Sequence, residues 1–190
     1  MSNIKIYQIF YSENTRATLD KGFTPLDNSD GDTEWMEYWP IRQYFLSHPV
    51  EQDDLIGFFS PRFSEKTGLN AIDITTHIKS NPGKSVYLFN PYFHLAAWHK
   101  NIFLQATNTH EDIDIVFNQI LKLLNLEIDI NNLIMSSTDT VYCNYFVANM
   151  SFWRQWLMIS EFIYQISEIG NTPLSETLNG ATNYTEGNYR

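Results

Sequence analysis

Arg62 and Lys66 stand just past the apolar run Leu55-Ile56-Gly57-Phe58-Phe59 and the turn Ser60-Pro61. In α/β proteins the carboxyl ends of strands face the ligand crevice, so cations at this position are placed to hold an anion. Arg offers a planar fork for a phosphate and Lys a mobile point charge. The hydroxyl of Ser60 lies in the same turn. Other expected strand ends carry further polar groups. Tyr11 and Arg16 follow the first strand, Asn90 follows the third, and Asn144 lies within the fourth. Arg42 adds a cation on a helix between the first two strands. An aromatic ring such as Tyr11 can stack on a base, and amides such as Asn90 and Asn144 can bind hydroxyls. Solvated surface charge is the competing explanation for Arg62 and Lys66.

Other chemistries find less support. No serine sits in a nucleophile-elbow pattern, and there is no glycine-rich phosphate loop. Cys143 is the single cysteine, inside an apolar run, and is expected to be buried and inert. No internal disulfide is possible. His94 and His99 are five apart, which does not suit a helical zinc pair, so no metal site is expected from the histidines. Asp112-Ile113-Asp114 has the form of a cation-holding Asp-x-Asp. It falls in the first turn of a helix, where acidic residues are expected from the helix dipole alone. Asp53-Asp54 reads as a solvated turn. Asp139, in the polar run Ser136-Ser137-Thr138-Asp139-Thr140 before the fourth strand, is the candidate catalytic base.

The elements that must position these residues are legible in outline. Strands are expected at Ile4–Tyr11, Leu55–Ser60, Ser85–Phe89 and Val141–Ala148, each rich in β-branched or aromatic residues. Helices are expected from Ser12 to about Leu19, from Glu34 or Pro40 to Ser47, from Asn70 or Asp73 to Asn81, and over Glu111–Leu124 and Met150–Ile169. The apolar stripe Ile113, Val116, Phe117, Ile120, Leu121, Leu124 is the clearest helical signal. Gly22–Asp32 reads as a loop. Alternation of strand and helix predicts an α/β, three-layer sandwich with a mainly parallel sheet. A single domain is expected over residues 1–170, followed by a tail at 171–190 that leads towards an element absent from this chain. Leu174–Arg190 is expected to be loosely ordered or docked on a neighbour, with a homodimer as the assembly.

Composition narrows the partners. The formal net charge is −10, with 12 basic residues spread along the chain, which argues against nucleic acid as a partner. No apolar run reaches the roughly 20 residues of a transmembrane span. Met1-Ser2-Asn3-Ile4-Lys5 has no signal-peptide layout, so the expected location is cytoplasmic. Aromatics make up 15 % of the residues, enough to fill a core and to leave rings for a ligand.

Several phrases resemble a family of uncharacterised bacterial proteins found alone or beside glycosyltransferase domains in polysaccharide loci. They are Tyr7-Gln8-Ile9-Phe10-Tyr11, Trp39-Pro40-Ile41-Arg42, the block Gly57 to Gly68, Phe89-Asn90-Pro91 and Asn144-Tyr145-Phe146-Val147-Ala148. The block after the second strand also resembles small GT-A-like glycosyltransferases. That second resemblance implies a nucleotide-diphospho-sugar-transferase-like sandwich with a nucleotide-sugar over the strand ends and a glycan acceptor beside it. Arg42, Arg62 and Lys66 would then neutralise the diphosphate, Tyr11 would stack on the base, and a divalent cation, Mn²⁺ or Mg²⁺, would be the cofactor. The chain departs from the metal-dependent pattern, because no Asp-x-Asp lies at a strand end. A non-catalytic carbohydrate- or nucleotide-binding module and a structural interaction domain are the alternatives.

Overall fold

The computed structural model of the chain describes residues 3–32, 34–108, 110 and 113–180. These residues form two units. One runs to Pro91 and includes Cys143–Met158; the other holds Tyr92–Tyr142 and the residues from Ile159 onward. No helix among the described residues is long and apolar enough to cross a membrane.

The first unit is built on a five-stranded sheet. Its strands are β1 (Ile4–Phe10), β2 (Thr24–Asp27), β3 (Leu55–Phe59), β4 (Val86–Leu88) and β5 (Phe146–Ala148), in the order β2-β1-β3-β5-β4. β1 pairs parallel with both β2 and β3, whereas β5 pairs antiparallel with both β3 and β4. The expected mainly parallel sheet is therefore corrected to a mixed one. The register gives the reason. Leu88, at the end of β4, lies opposite Phe146, at the start of β5, and Phe89 N–H donates to the Tyr145 carbonyl at 2.8 Å. The chain leaves and re-enters the sheet at the same end, so the returning strand must run backwards. An apolar run such as Phe146-Val147-Ala148 carries no sign of its direction.

Alternation along the strands sorts side chains to two faces. Ile6, Leu55, Phe59 and Val147 pack with Ile74 and Ile78 of α4 (Ala71–Ser80) on one face. Ile9, Ile56, Phe58, Phe146 and Ala148 pack on the other with Ile41 and Tyr44 of α2 (Tyr38–Ser47) and Trp153 of α7 (Met150–Ile169). Helices thus cover both faces of the sheet, as the α/β reading requires. Two short helices complete this unit: α1 (Glu13–Arg16), with Ser12 as its N-cap, and α3 (Phe63–Thr67). Gly57 is required where β3 meets β5, because a Cβ there would lie 2.7 Å from Val147 Cγ2 and 3.0 Å from the Phe146 carbonyl oxygen.

β2 lies inside the segment expected to be a loop. It is an edge strand, where Pro25 is tolerated because only one side needs ladder hydrogen bonds. The fourth expected strand is shorter than predicted, since residues 142–144 form a bend.

Asp54 is corrected as well. It is 2 % exposed, and its carboxylate accepts from Lys5 Nζ at 2.6 Å and Asn3 Nδ2 at 3.2 Å. The Lys5 ammonium holds the Asp54 carboxyl below its usual range, and the carboxylate in turn raises the Lys5 ammonium. Asp54 contributes stability above its unfolded value near pH ~4, and this is lost as pH falls through the lowered folded value. Lys5 contributes below its unfolded value near pH ~10.4, lost as pH rises through the raised folded one. The expected result is that Asp54→Asn removes stability at neutral pH and that its difference from the wild type closes below pH ~4. Urea titrations at several pH values measure this, and a gap unchanged in acid would exclude the pair as its source.

The second unit contains α5 (Ile102–Ala106), α6 (Ile113–Leu123) and α8 (Pro173–Leu178), with the later part of α7. Val116 and Ile120 of α6 are buried with Leu174 of α8, and Ile163 and Ile166 of α7 pack beside them. The predicted stripe is therefore real, though Phe117 is half-buried, edge-on to Phe103 at 4.7 Å. Asn118 is half-buried and donates to the Asp114 carbonyl at 2.9 Å. The segment expected to be loose from Leu174 instead begins as a capped helix, with Thr172 accepting from Ser175 N–H. Asn101 donates to the Ile130 and Leu133 carbonyls at 2.7 and 2.8 Å, fixing the loop after α6. Glu111 and Asp112 lie outside the described residues.

Candidate active site crevice

β1 leads to β2 on one side of itself, and the chain then crosses to β3 on the other. The carboxyl ends of β1 and β3 therefore flank a topological switch point, where the two connections diverge and leave a gap. A crevice of about 420 Å³ lies there, lined by Tyr11, Thr15, Glu37, Ser60, Arg62 and Lys66 together with Met36 and Pro61. Its volume falls within the range of small-ligand sites.

Each side chain is held by its element. Tyr11 is half-buried where β1 gives way to α1, and its N–H donates to Thr15 Oγ1 at 2.9 Å. Burial, and then the nearby Glu37 charge, push the Tyr11 phenol well above its usual value, so it stays a neutral donor. Ser60 is buried, and its hydroxyl shares a hydrogen bond of 2.5 Å with Tyr145. Lys66 sits on α3 with its ammonium 5.9 Å from the centre of the Tyr145 ring, a cation–π placement. Arg62 is clamped by Glu65, with Nε and Nη2 donating to its two carboxylate oxygens at 2.8 and 2.6 Å. Much of the Arg62 charge is thus already met, whereas Lys66 makes no ion pair among the described residues.

Beneath the crevice lies a residue that sequence reasoning missed. Gln8 is 1 % exposed in the middle of β1. Its Nε2 donates to the Ser60 carbonyl at 3.1 Å and the Pro61 carbonyl at 3.4 Å. Its Oε1 accepts from Asp20 N–H at 2.8 Å. The Asp20 carboxylate accepts in turn from Gly22 N–H at 2.8 Å and Ala71 N–H at 3.0 Å. One buried amide thereby ties the turn after β3 to the loop after α1. The signal was present: Gln8 is the polar interruption of Ile4-Lys5-Ile6-Tyr7-Gln8-Ile9-Phe10 on the core-facing alternation. Glu37 was also missed. It lines the crevice beside Met36, whose φ of 43° is a left-handed conformation uncommon for a side chain of that size.

The other predicted residues lie elsewhere. Arg16 ends α1, pairs with Glu13 at 3.2 Å and stands 5.5 Å from the Phe10 ring centre. Arg42 lies on α2 over the Trp39 ring at 5.9 Å. Asn90 is half-buried after β4, and Asn144 is exposed in the bend before β5 rather than buried within a strand. None of these four lines the crevice. Asp139 belongs to the second unit, exposed in a turn, where it accepts from Ser136 Oγ at 2.7 Å and Ser136 N–H at 3.2 Å. These bonds lower its carboxyl below the usual range, the opposite of what a general base near neutral pH needs. Cys143 is half-buried, and burial raises its thiol. No cluster of three or more His, Cys, Asp or Glu able to hold a metal occurs among the described residues.

The crevice thus gathers an aromatic ring, two cations, a buried hydroxyl and one carboxylate over two parallel strand ends. No family model matches the chain, and neither a curated protein nor a solved structure shows significant similarity to it.

Proposed function

We propose that the chain is a glycosyltransferase-like protein that binds a nucleotide-sugar in this crevice, in the assembly of a surface polysaccharide. The reading rests on one observation: Tyr11, Ser60, Arg62 and Lys66 converge on a crevice at the switch point between β1 and β3. A nucleotide-diphospho-sugar-transferase-like arrangement places its donor over such strand ends. Tyr11 offers a face for the base. Lys66 meets the diphosphate as a point charge, and Arg62 joins it by exchanging Glu65 for phosphate. Glu37 replaces Asp139 as the carboxylate able to take a proton from an acceptor hydroxyl. A non-catalytic binding module is the second reading, favoured by the prior commitment of Arg62 to Glu65. It requires the same ligand without turnover.

The test is a thermal-shift screen against nucleotide-sugars, with and without Mn²⁺. A ligand that binds only the folded chain raises its melting temperature. One nucleotide class is expected to stand out. Lys66→Ala is expected to weaken that ligand about 10-fold, the scale of a lost charge-assisted hydrogen bond. Glu65→Gln, which releases Arg62, is expected to tighten it several-fold. A flat screen, or a Lys66→Ala protein with undiminished affinity, rules the reading out. Release of free nucleotide from the bound nucleotide-sugar on adding a glycan acceptor separates transferase from binding module.

A further inference from the structure

The chain holds one Asn-Gly pair, Asn179-Gly180. Such a pair is prone to cyclise, because glycine has no side chain to hinder its backbone nitrogen from attacking the preceding carboxamide. The pair lies at a joint within the second unit. Asn179 is the C-cap residue of α8, with φ −93° and ψ 0°. Its carboxamide clasps Ser167 of α7 with both ends: Oδ1 accepts from Ser167 Oγ, and Nδ2 donates to the Ser167 carbonyl at 3.0 Å. Ser167 lies in the last turn of α7, where carbonyls have no intrahelical donor, and Asn179 Nδ2 supplies the missing one.

Two contacts hold the pair in an unreactive arrangement. Cyclisation requires the Gly180 nitrogen to give up its proton and reach Asn179 Cγ. With α8 docked, that N–H donates to the Thr177 carbonyl at 3.3 Å, and the carboxamide is fixed on Ser167, a buried residue. Asn179 and Gly180 are themselves exposed, so solvent reaches them once the clasp opens. α8 is six residues long, and Leu174 and Leu178 seat it in the apolar cluster with α6 and α7. A terminal element this small opens locally at a free energy below that of global unfolding.

We propose that Asn179 is a self-modification site gated by the docking of α8. When α8 opens, the Gly180 nitrogen attacks Asn179 Cγ. The N–Cγ bond forms, the Cγ–Nδ2 bond breaks, and Nδ2 leaves as ammonia carrying the proton from Gly180. Water then opens the resulting succinimide at either of its carbonyls, giving aspartate or isoaspartate. The change runs one way. A carboxylate has acceptor oxygens and no N–H, so it cannot donate to the Ser167 carbonyl and instead sets a negative charge against it. Isoaspartate also lengthens the backbone by one methylene. Either product leaves the last turn of α7 without this donor and α8 without its anchor. The reaction draws only on water and on this chain, and does not depend on the crevice or its ligand.

Peptide mapping by mass spectrometry on the full chain tests it, after incubation at mildly alkaline pH with and without urea. The signal is a gain of one mass unit at Asn179, with isoaspartate among the products. The native chain is expected to convert about 10-fold or more slowly than the urea-unfolded chain, because only its locally opened fraction reacts. Ser167→Ala removes the hydroxyl half of the clasp and is expected to convert several-fold faster than the native wild type. Hydrogen exchange reads the consequence. Asn179→Asp is expected to exchange faster over α8 and the last turn of α7, while α6 keeps its wild-type protection, which separates a released clasp from a lost fold. Equal conversion in native and unfolded chains overturns the gate, as does a Ser167→Ala rate equal to that of the wild type. Unchanged exchange over α8 in Asn179→Asp overturns the release, and so does equal loss of protection in α6.

Discussion

Trp153→Ala is expected to lower the stability of the first unit by about 4–5 kcal/mol, at the upper end for a buried aromatic truncated to alanine. Trp153 is 1 % exposed at the centre of the α2 and α7 face. Its ring centroid lies 5.1 Å from Phe45, 5.3 Å from Phe58 and 5.1 Å from Phe146, so one side chain joins α2, β3 and β5. Its Nε1–H also donates to the Ile56 carbonyl at 3.0 Å, inside the sheet's apolar cover. Truncation therefore opens a cavity and removes this hydrogen bond. Native domains are stable by only about 5–15 kcal/mol, so the variant sits near the edge of folding. Trp153→Phe keeps most of the packing and loses the hydrogen bond, and is expected to cost about 2 kcal/mol. Urea unfolding followed by circular dichroism measures both. Midpoints that match the wild type would mean that Trp153 does not occupy this position.

Gln8→Leu carries the second large effect, and it acts on the crevice as well as on the fold. The substitution keeps an apolar side chain of similar size but strands Asp20 N–H and the Ser60 carbonyl, both bonded to Gln8. Each stranded buried group costs about 1–3 kcal/mol, so a loss of roughly 3 kcal/mol is expected. Gln8 does not itself line the crevice. It acts by holding the turn that carries Ser60 and Pro61, and is a positioning residue. The nucleotide-sugar shift should therefore shrink in Gln8→Leu at temperatures where the protein remains folded. Circular dichroism of a folded protein with undiminished ligand shift would show that the turn keeps its place without Gln8.

What the sequence made legible was largely what period and composition encode. β1 and β3 are read correctly because their apolar runs are bounded by turns, and α6 and α7 because their stripes are long. The direction of β5 was not readable, because strand polarity is decided by where the connection returns. β2 was hidden by Pro25 and by its length of four residues, which edge pairing tolerates and periodicity cannot detect. At the crevice, Tyr11, Ser60, Arg62 and Lys66 followed from the rule that strand ends face ligands. Arg16 obeys the same rule in sequence but stands over Phe10, and Arg42, on a helix and named by the resemblance, stands over Trp39. Asp139 was chosen for its polar neighbours, and those neighbours are what occupy it. Gln8 carries no motif. It becomes conspicuous only when its hydrogen bonds are counted.

The return of the chain to the same sheet end has a consequence during synthesis. β1, β2 and β3 leave the ribosome together, but the neighbour that covers the far side of β3 is not made until Phe146–Ala148. Trp153, which caps Ile56 and Phe58, follows later still. Throughout translation of the whole segment from Tyr92 to Tyr142, the nascent chain carries β3 with an open edge and one face covered by α2 alone. Such edges recruit other strands, and a chain extending by about 5–20 residues per second leaves this one exposed for seconds. The architecture thus concentrates the hazard of misassembly in the interval before the fifth strand emerges.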